Sequence, residues 1–327
     1  MTAAAPASPL SLAEIEAAAD RIAGAVAETP ILENPLVNAQ LGGRLLLKAE
    51  CLQRTGSFKI RGATNFLAAM DPTERARGVV THSSGNHGQA VACAAHRFNV
   101  PAYVVVPRDA PALKVRLTEA WGAKVIRCER SDRESTAQQI AQETAATLLP
   151  PYDHPAVMAG QGTTGLEIVA QLKAEAVVPD RVLVCCGGGG LTAGISTVIR
   201  ATWPDVPVYA VEPEGWDDTG RSLESGQRVA NSPGADPLCD ALLAPMPGVL
   251  TFEVNRTTLA GGVVVSRSEV LGAMASGFVD YKVVLEPGGA VALAAALAGR
   301  AGTGGVTVAV LSGGNVEPAT FVQAFDP

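Results

Sequence analysis

Aromatic side chains are scarce in this 327-residue chain, where Phe, Tyr and Trp together make up 4%. A core without large rings has to be filled by Ala, Val, Leu and Ile, which suits Ala-rich helices packed on Val-rich strands. Basic excess is absent too: the formal charge is -7 and the Lys and Arg residues are scattered, which argues against a nucleic-acid partner. No uninterrupted apolar run of about 20 residues occurs, so no membrane-spanning helix and no membrane partner are expected. The opening MTAAAPASPL lacks the basic start and apolar centre of a signal peptide. Six cysteines (Cys51, Cys93, Cys128, Cys185, Cys186 and Cys239) show no metal-ligand spacing. Read as reduced, buried thiols, they point to the cytoplasm.

What is present is alternation. Apolar periodicity predicts a helix from Ser11 to Ala27 with Ser11 as its cap, a strand over 44–50 and a helix over 57–70 capped by Ser57. GVVTHSS then reads as a strand running through a glycine-containing loop into a helix, followed by a strand over 100–107, a helix over 111–122 and a strand over 123–129. Helices are predicted over 133–148, 162–174 and 191–202, and strands over 181–186, 206–213 and 305–311. Strands alternating with helices imply βαβ units and parallel sheets, whose ligands sit at the carboxyl ends of the strands. At this length two lobes are expected rather than one core.

Four short stretches carry chemistry. Gly187, Gly188, Gly189 and Gly190 lie between a strand and a helix, where unhindered N–H groups and the positive end of the helix dipole suit a phosphate. A plain tight turn or a nucleotide-binding loop would use the same glycines. The stretch Thr81 to Gly88 offers hydroxyls, an amide and N–H groups at a helix start, a fitting cradle for a carboxylate. Lys59 is expected in a first helical turn, where the dipole disfavours its charged form and leaves a free amine able to form a Schiff base. Ser312 ends a strand, and its hydroxyl can meet a heterocyclic nitrogen without fully protonating it.

Together these stretches resemble the serine racemase and threonine/serine dehydratase family of pyridoxal-phosphate enzymes. The resemblance rests on TGSFKIRG, THSSGNHGQA, GQGT at 160–163, GGGG, the acidic stretch after AVEP, and LSGGN, six motifs in the family's order over most of the chain. It implies an α/β fold of the tryptophan-synthase-β-like type with parallel-rich sheets. A large cofactor-binding domain would span 1–76 and 152–327, and a small mobile domain 77–151. It implies pyridoxal 5'-phosphate attached to Lys59, flanked by Phe58, with Asn86 on its phenolic oxygen, Gly187 to Gly190 on its phosphate and Ser312 facing its pyridine nitrogen. Ser83, Asn86 and His87 would hold the substrate carboxylate, and Ser84 would act as acid-base on the opposite face, as serine does at this position in racemases. Glu212, Asp218 and the carbonyl of Trp216 would hold a divalent cation, Mg²⁺ or Ca²⁺, suited to oxygen ligands.

The implied reaction is dehydration and deamination of a small β-hydroxy amino acid of the L-threonine or L-serine class by a homodimer. Its closest variants are 3-hydroxyaspartate dehydration, for which Arg133 or Arg54 would supply a cation, and serine racemisation through Ser84. Two departures bear on the substrate side chain: the arginine after Ser131-Asp132 is displaced to Arg133, and Cys239-Asp240-Ala241 stands where relatives often read ADG. Outside this chemistry, a dehydrogenase would need a G-x-G-x-x-G run, which GGGGLTAG fits poorly. A silent binding module would be indifferent to loss of Lys59.

Overall fold

A computed structural model describes residues 8–326 apart from 84, 111 and 233. Ten strands carry the architecture: β1 (Ile31–Glu33), β2 (Arg44–Lys48), β3 (Val79–His82), β4 (Ala102–Pro107), β5 (Lys124–Cys128), β6 (Thr147–Leu148), β7 (Arg181–Cys185), β8 (Val208–Pro213), β9 (Gly261–Val265) and β10 (Val306–Val310). They form a six-stranded sheet in the order β1-β2-β10-β7-β8-β9 and a four-stranded sheet in the order β5-β4-β3-β6. Every pairing is parallel except β1 with β2. In β7 and β10 consecutive residues such as Val182, Leu183 and Val184 are fully buried, as expected for parallel strands covered by helices on both faces. One apolar core surrounds the larger sheet, and two smaller ones flank the four-stranded sheet. Among the described residues no helix is long and apolar enough to cross a membrane.

Ser11 caps its helix, accepting from the Glu14 N–H while the Glu14 carboxylate returns to the Ser11 N–H. That helix is Leu12–Ile22, shorter than the sequence predicts, and Gly24 follows with φ +70°. The predicted cap at Ser57 is corrected. Ser57 is extended and bridges to Gly313, so the helix starts at Lys59 (Lys59–Ala69) with no side-chain cap. The helix predicted over 133–148 ends at Thr144, because Ala145 turns left-handed at φ +56° and releases Thr147–Leu148 to pair with β3.

The helix expected from 162 begins seven residues earlier, at Pro155, a residue pre-set for a first helical position. It runs to Ala174 through Gly160 and Gly162, which sequence pattern discounts as helix formers. Their role is close approach. A Cβ on Gly160 would lie 2.7 Å from the Arg61 carbonyl oxygen, and one on Gly194 would lie 2.4 Å from the Gly162 nitrogen. Three helices thus cross backbone to backbone beneath the site. The region 214–304, to which the sequence reading assigns no element, contains helices Asp218–Ser225, Val249–Thr258, Arg267–Tyr281 and Pro287–Leu297.

Candidate active site

The loops after β3, β7 and β10 leave the carboxyl ends of parallel strands and carry Thr81 to Gly88, the tetraglycine and Ser312, whereas Lys59 follows β2 and a short turn and is brought to them by hydrogen bonds. The loop around Ser57 is zipped to the loop after β10. The Phe58 N–H donates to the Ser312 carbonyl at 3.1 Å, and the Gly314 N–H to the Gly56 carbonyl at 2.9 Å. Asn315 extends the zip, its amide donating to the Thr55 carbonyl at 2.8 Å and to Asn86 Oδ1 at 2.9 Å. Asn86 in turn donates to the buried carboxylate of Glu286.

Lys59 Nζ lies 5.0 Å from the centroid of the Phe58 ring and donates to the Pro151 carbonyl at 2.8 Å. Burial lowers its pKa to about 8, against the weaker opposing pull of Cys185 and Glu286. A lysine so placed carries a large neutral fraction near pH 8, the form that attacks a carbonyl. Ser312 is buried at 4% exposure, and burial pushes the pKa of Cys185, at the end of β7, up to about 11 against the opposing pull of Ser312.

The tetraglycine loop joins β7 to the helix Gly190–Thr202. Gly189 has φ +92°, a conformation that favours glycine. A Cβ on Gly188 would sit 2.3 Å from the Tyr152 ring. Among the described residues nothing accepts from the N–H groups of Gly187, Gly188 or Gly189, whereas the carbonyls of Gly188 and Gly189 accept from Thr251 and Asn255. Free donors at a helix start fit a phosphate. Buried polar atoms without a hydrogen-bond partner recur among these residues: Ser57 Oγ, His87 Nδ1 and Glu286 Oε2. Such atoms are costly unless a ligand meets them, so the residues present fit a polar cofactor.

His87 needs a finer reading. Its Nε2 lies 3.2 Å from the Leu149 carbonyl, which can only accept, so Nε2 carries the proton and Nδ1 is a bare acceptor. Burial, reinforced by the charge of Lys59, drives its pKa down to about 3. The ring therefore has no second N–H for a carboxylate, and what His87 offers is its main-chain N–H in the first turn of the helix Asn86–Phe98. Ser83 Oγ accepts from the Gly85 N–H at 3.3 Å and stays half-buried. Ser84 lies outside the described residues. Arg133 is half-buried, and its Nε donates to the Arg130 carbonyl at 2.9 Å, which ties it to its own turn.

At the two ends of the acidic loop, Glu212 in β8 and Asp218 at the start of the helix Asp218–Ser225 are both fully buried. The Glu212 oxygens accept from the Thr219 and Gly220 N–H groups at 2.9 and 2.8 Å. Asp218 Oδ1 accepts from Asn231 at 2.6 Å, while its Oδ2 is buried without a partner. Burial raises the pKa of Glu212 to about 8, with Asp218 adding to it, and that of Asp218 to about 6. Half-buried Trp216 is held by its indole, which donates to the Asp236 carbonyl at 2.9 Å. Among the described residues no three His, Cys, Asp or Glu side chains group as metal ligands, so a cation here would need main-chain oxygens beside these two carboxylates.

Several functional neighbours escape the sequence reading: Glu286, Tyr152 and Asp153. Glu286 precedes Pro287 at the start of a helix, and Asp153 falls in the Pro-bounded PYDHP; both contexts mark helix starts rather than sites. Glu286 is buried at 1% exposure and its pKa is raised to about 7 by burial, partly offset by Lys114 at 3.8 Å.

Known proteins resemble this chain over most of its length. A serine racemase of Dictyostelium discoideum is 39% identical over 295 residues, 89% of this chain and 90% of the relative. An L-threo-3-hydroxyaspartate ammonia-lyase of Saccharomyces cerevisiae is 39% identical over 304 residues, 92% of this chain and 91% of the relative. The crystal structure of a T.th. threonine deaminase superposes with a TM-score of 0.90 at 41% identity, covering 94% of this chain and 99% of that one. The family described as pyridoxal-phosphate dependent enzyme matches residues 22–313, which takes in Lys59, the glycine loop and Ser312 alike, and the chain belongs to that family.

Proposed function

We propose that this protein removes water from a small β-hydroxy amino acid of the L-threonine or L-serine class, releasing an enamine-type product that takes up water again as it gives up ammonia and becomes a 2-oxo acid. The observation that carries the reading is Lys59, with its pKa near 8, bonded to the carbonyl of Pro151, next to Tyr152 whose ring lies against the tetraglycine loop. Bound pyridoxal phosphate supplies an electron sink that weakens the Cα–H bond of an attached amino acid.

The chain's own residues do the rest. Lys59 holds the cofactor and moves the proton at Cα, with Phe58 beside the ring and Asn86 on its phenolic oxygen. Gly187 to Gly190 hold the phosphate. Ser312 gives the pyridine nitrogen a neutral partner, which favours prompt loss of the β-hydroxyl over slower side reactions. Asn86, the main-chain N–H of His87 and the Ser83 hydroxyl hold the substrate carboxylate. The segment 77–151, which contains the four-stranded sheet, acts as the mobile domain and excludes water on closing over 1–76 and 152–327. Glu212 and Asp218, with the Trp216 carbonyl, hold Mg²⁺ or Ca²⁺ in a structural role; the unpartnered Asp218 Oδ2 supports this. The working form is a homodimer in the cytoplasm, in keeping with six free cysteines.

Relatives named for serine racemisation and for L-threo-3-hydroxyaspartate support two neighbouring readings, in which Ser84 serves the opposite face of Cα or Arg133 meets a second carboxylate. One assay tests all three. The cofactor-loaded protein is incubated with L-threonine, L-serine or L-threo-3-hydroxyaspartate, and 2-oxo acid, ammonia and the enantiomer ratio of the residual substrate are measured. Equal amounts of 2-oxo acid and ammonia from L-threonine or L-serine are expected. Racemised substrate without 2-oxo acid, or turnover of the hydroxyaspartate alone, would replace the main reading by one of the other two.

A further inference from the structure

The segment from Leu149 to His154 touches three parts of the site. Its Leu149 carbonyl holds the His87 ring, its Pro151 carbonyl holds Lys59 Nζ, and the Tyr152 ring lies against Gly188. Asp153 does something different. Its carboxylate accepts three N–H groups at the start of the helix Val249–Thr258: Oδ2 from Val249 at 2.9 Å, and Oδ1 from Leu250 at 2.8 Å and Thr251 at 3.1 Å. These donors have no partner within their own helix, and a carboxylate at that end is also favoured by the dipole. A Cβ on Gly248 would sit 2.5 Å from Asp153 Oδ1, so glycine there lets the carboxylate in.

The capped helix carries the residues that grip the glycine loop. Thr251 Oγ1 donates to the Gly188 carbonyl at 2.7 Å, the Gly248 N–H donates to the same carbonyl at 3.3 Å, and Asn255 Nδ2 donates to the Gly189 carbonyl at 3.2 Å. A peptide unit is planar and trans, so its carbonyl and the N–H of the following residue point in opposite directions. Pulling the Gly188 and Gly189 carbonyls onto this helix therefore turns the Gly189 and Gly190 N–H groups away from it.

We propose that Asp153 is a positioning residue for the phosphate seat: by anchoring the helix that carries Thr251 and Asn255, it fixes the direction in which the glycine-loop N–H groups point. The proposal rests on the reading of Gly187 to Gly190 as that seat. Pre-aimed donors bind an anion without first having to be ordered, so loss of the anchor weakens binding of the phosphate in particular.

The test compares two ligands, pyridoxal 5'-phosphate and pyridoxal, which lacks the phosphate, on the full chain stripped of cofactor. Asp153→Ala is expected to raise the Kd for pyridoxal 5'-phosphate by about tenfold, the scale of a lost helix cap, and to leave that for pyridoxal within about twofold. Asp153→Asn, which keeps one acceptor oxygen, should fall between wild type and Asp153→Ala. Thr251→Val, which keeps its shape and loses only the hydroxyl, should show the same selectivity if Asp153→Ala fails to fold. Equal weakening for both ligands, or none for either, overturns the proposal. If the wild-type protein itself binds both ligands equally, the reading of the glycine loop falls with it; if wild type discriminates and the variants discriminate as well, only the role of Asp153 falls.

Discussion

The Lys59 amine donates to the Pro151 carbonyl across 2.8 Å, tying the first residue of a helix to the chain that leaves the four-stranded sheet for the helix Pro155–Ala174. A carbonyl can accept from a neutral amine as well as, more strongly, from an ammonium, so this bond holds the side chain in place in either form. Charge is set by burial, and burial favours the neutral form.

The rate at which stripped protein takes up pyridoxal phosphate should therefore climb as pH rises through about 8 and level off above it. An exposed lysine, with its ordinary value of 10.5, would still be climbing there. Stopped-flow absorbance against pH reads the midpoint. Lys59→Ala should lower 2-oxo acid formation by about 10³-fold or more. Mass spectrometry after borohydride reduction should find the pyridoxyl label on Lys59 in wild type and on no residue of that variant.

Two residues further on, Arg61 is fully buried in a lattice of charges. Its guanidinium donates to both Glu50 oxygens at 2.7 and 2.8 Å and to both Glu167 oxygens at 2.6 and 2.9 Å, and Lys48 meets Glu167 at 2.6 Å. Two cations and two carboxylates balance. Arg61→Met would leave Glu50 buried and unpaired and should cost about 3–5 kcal/mol. The urea midpoint should fall accordingly, and adding Glu50→Gln to Arg61→Met should recover part of the loss.

Sequence pattern reaches the strands and the motif glycines because their signals are local. An apolar run such as VLVCC and the tetraglycine each announce themselves within a few residues. The helix Pro155–Ala174 was only half legible, since Gly160 and Gly162 look like breakers until the neighbouring helices that need their missing Cβ atoms are present. Glu286 and Asp153 were illegible for a related reason. Each acts on a partner about 100 or more positions away, Asn86 in the first case and the start of the Val249–Thr258 helix in the second, and nothing nearby in sequence hints at that pairing. His87 was legible as a site residue, but the direction of its ring depends on the distant Leu149 carbonyl.

The acidic loop gives a prediction on stability rather than rate. Glu212 and Asp218 are buried together, and a divalent cation bound between them would offset their mutual repulsion in the folded state only. Chelator should lower the Tm of the wild-type protein and excess Mg²⁺ or Ca²⁺ should restore it. Binding at 100 times the dissociation constant corresponds to about 2.7 kcal/mol. Asp218→Asn should flatten this response while leaving the pyridoxal-phosphate absorbance in place. An unchanged Tm on cation removal would strip the loop of its proposed metal.

A pair of glycine substitutions separates site geometry from general helix propensity. At Gly313 a Cβ would lie 2.2 Å from Glu286 Oε1 and 3.2 Å from Asn86 Nδ2, and neither neighbour is free to retreat. Glu286 is fixed through its own N–H, which donates to the Gly313 carbonyl at 3.1 Å, and Asn86 is fixed by Asn315 at 2.9 Å. Gly313→Ala should therefore break the link between Glu286 and Asn86 and lower kcat/KM by at least about tenfold, since a misplacement of about 1 Å costs that much or more. Gly272 offers the contrast. It is exposed inside the helix Arg267–Tyr281, and a Cβ there meets nothing within 4 Å. Gly272→Ala should raise stability by about 0.5–1 kcal/mol through helix propensity alone and leave kcat/KM unchanged. Thermal unfolding and steady-state kinetics on the two variants read both effects, and equal kinetics for the two would remove the Asn86–Glu286 pair from the working site.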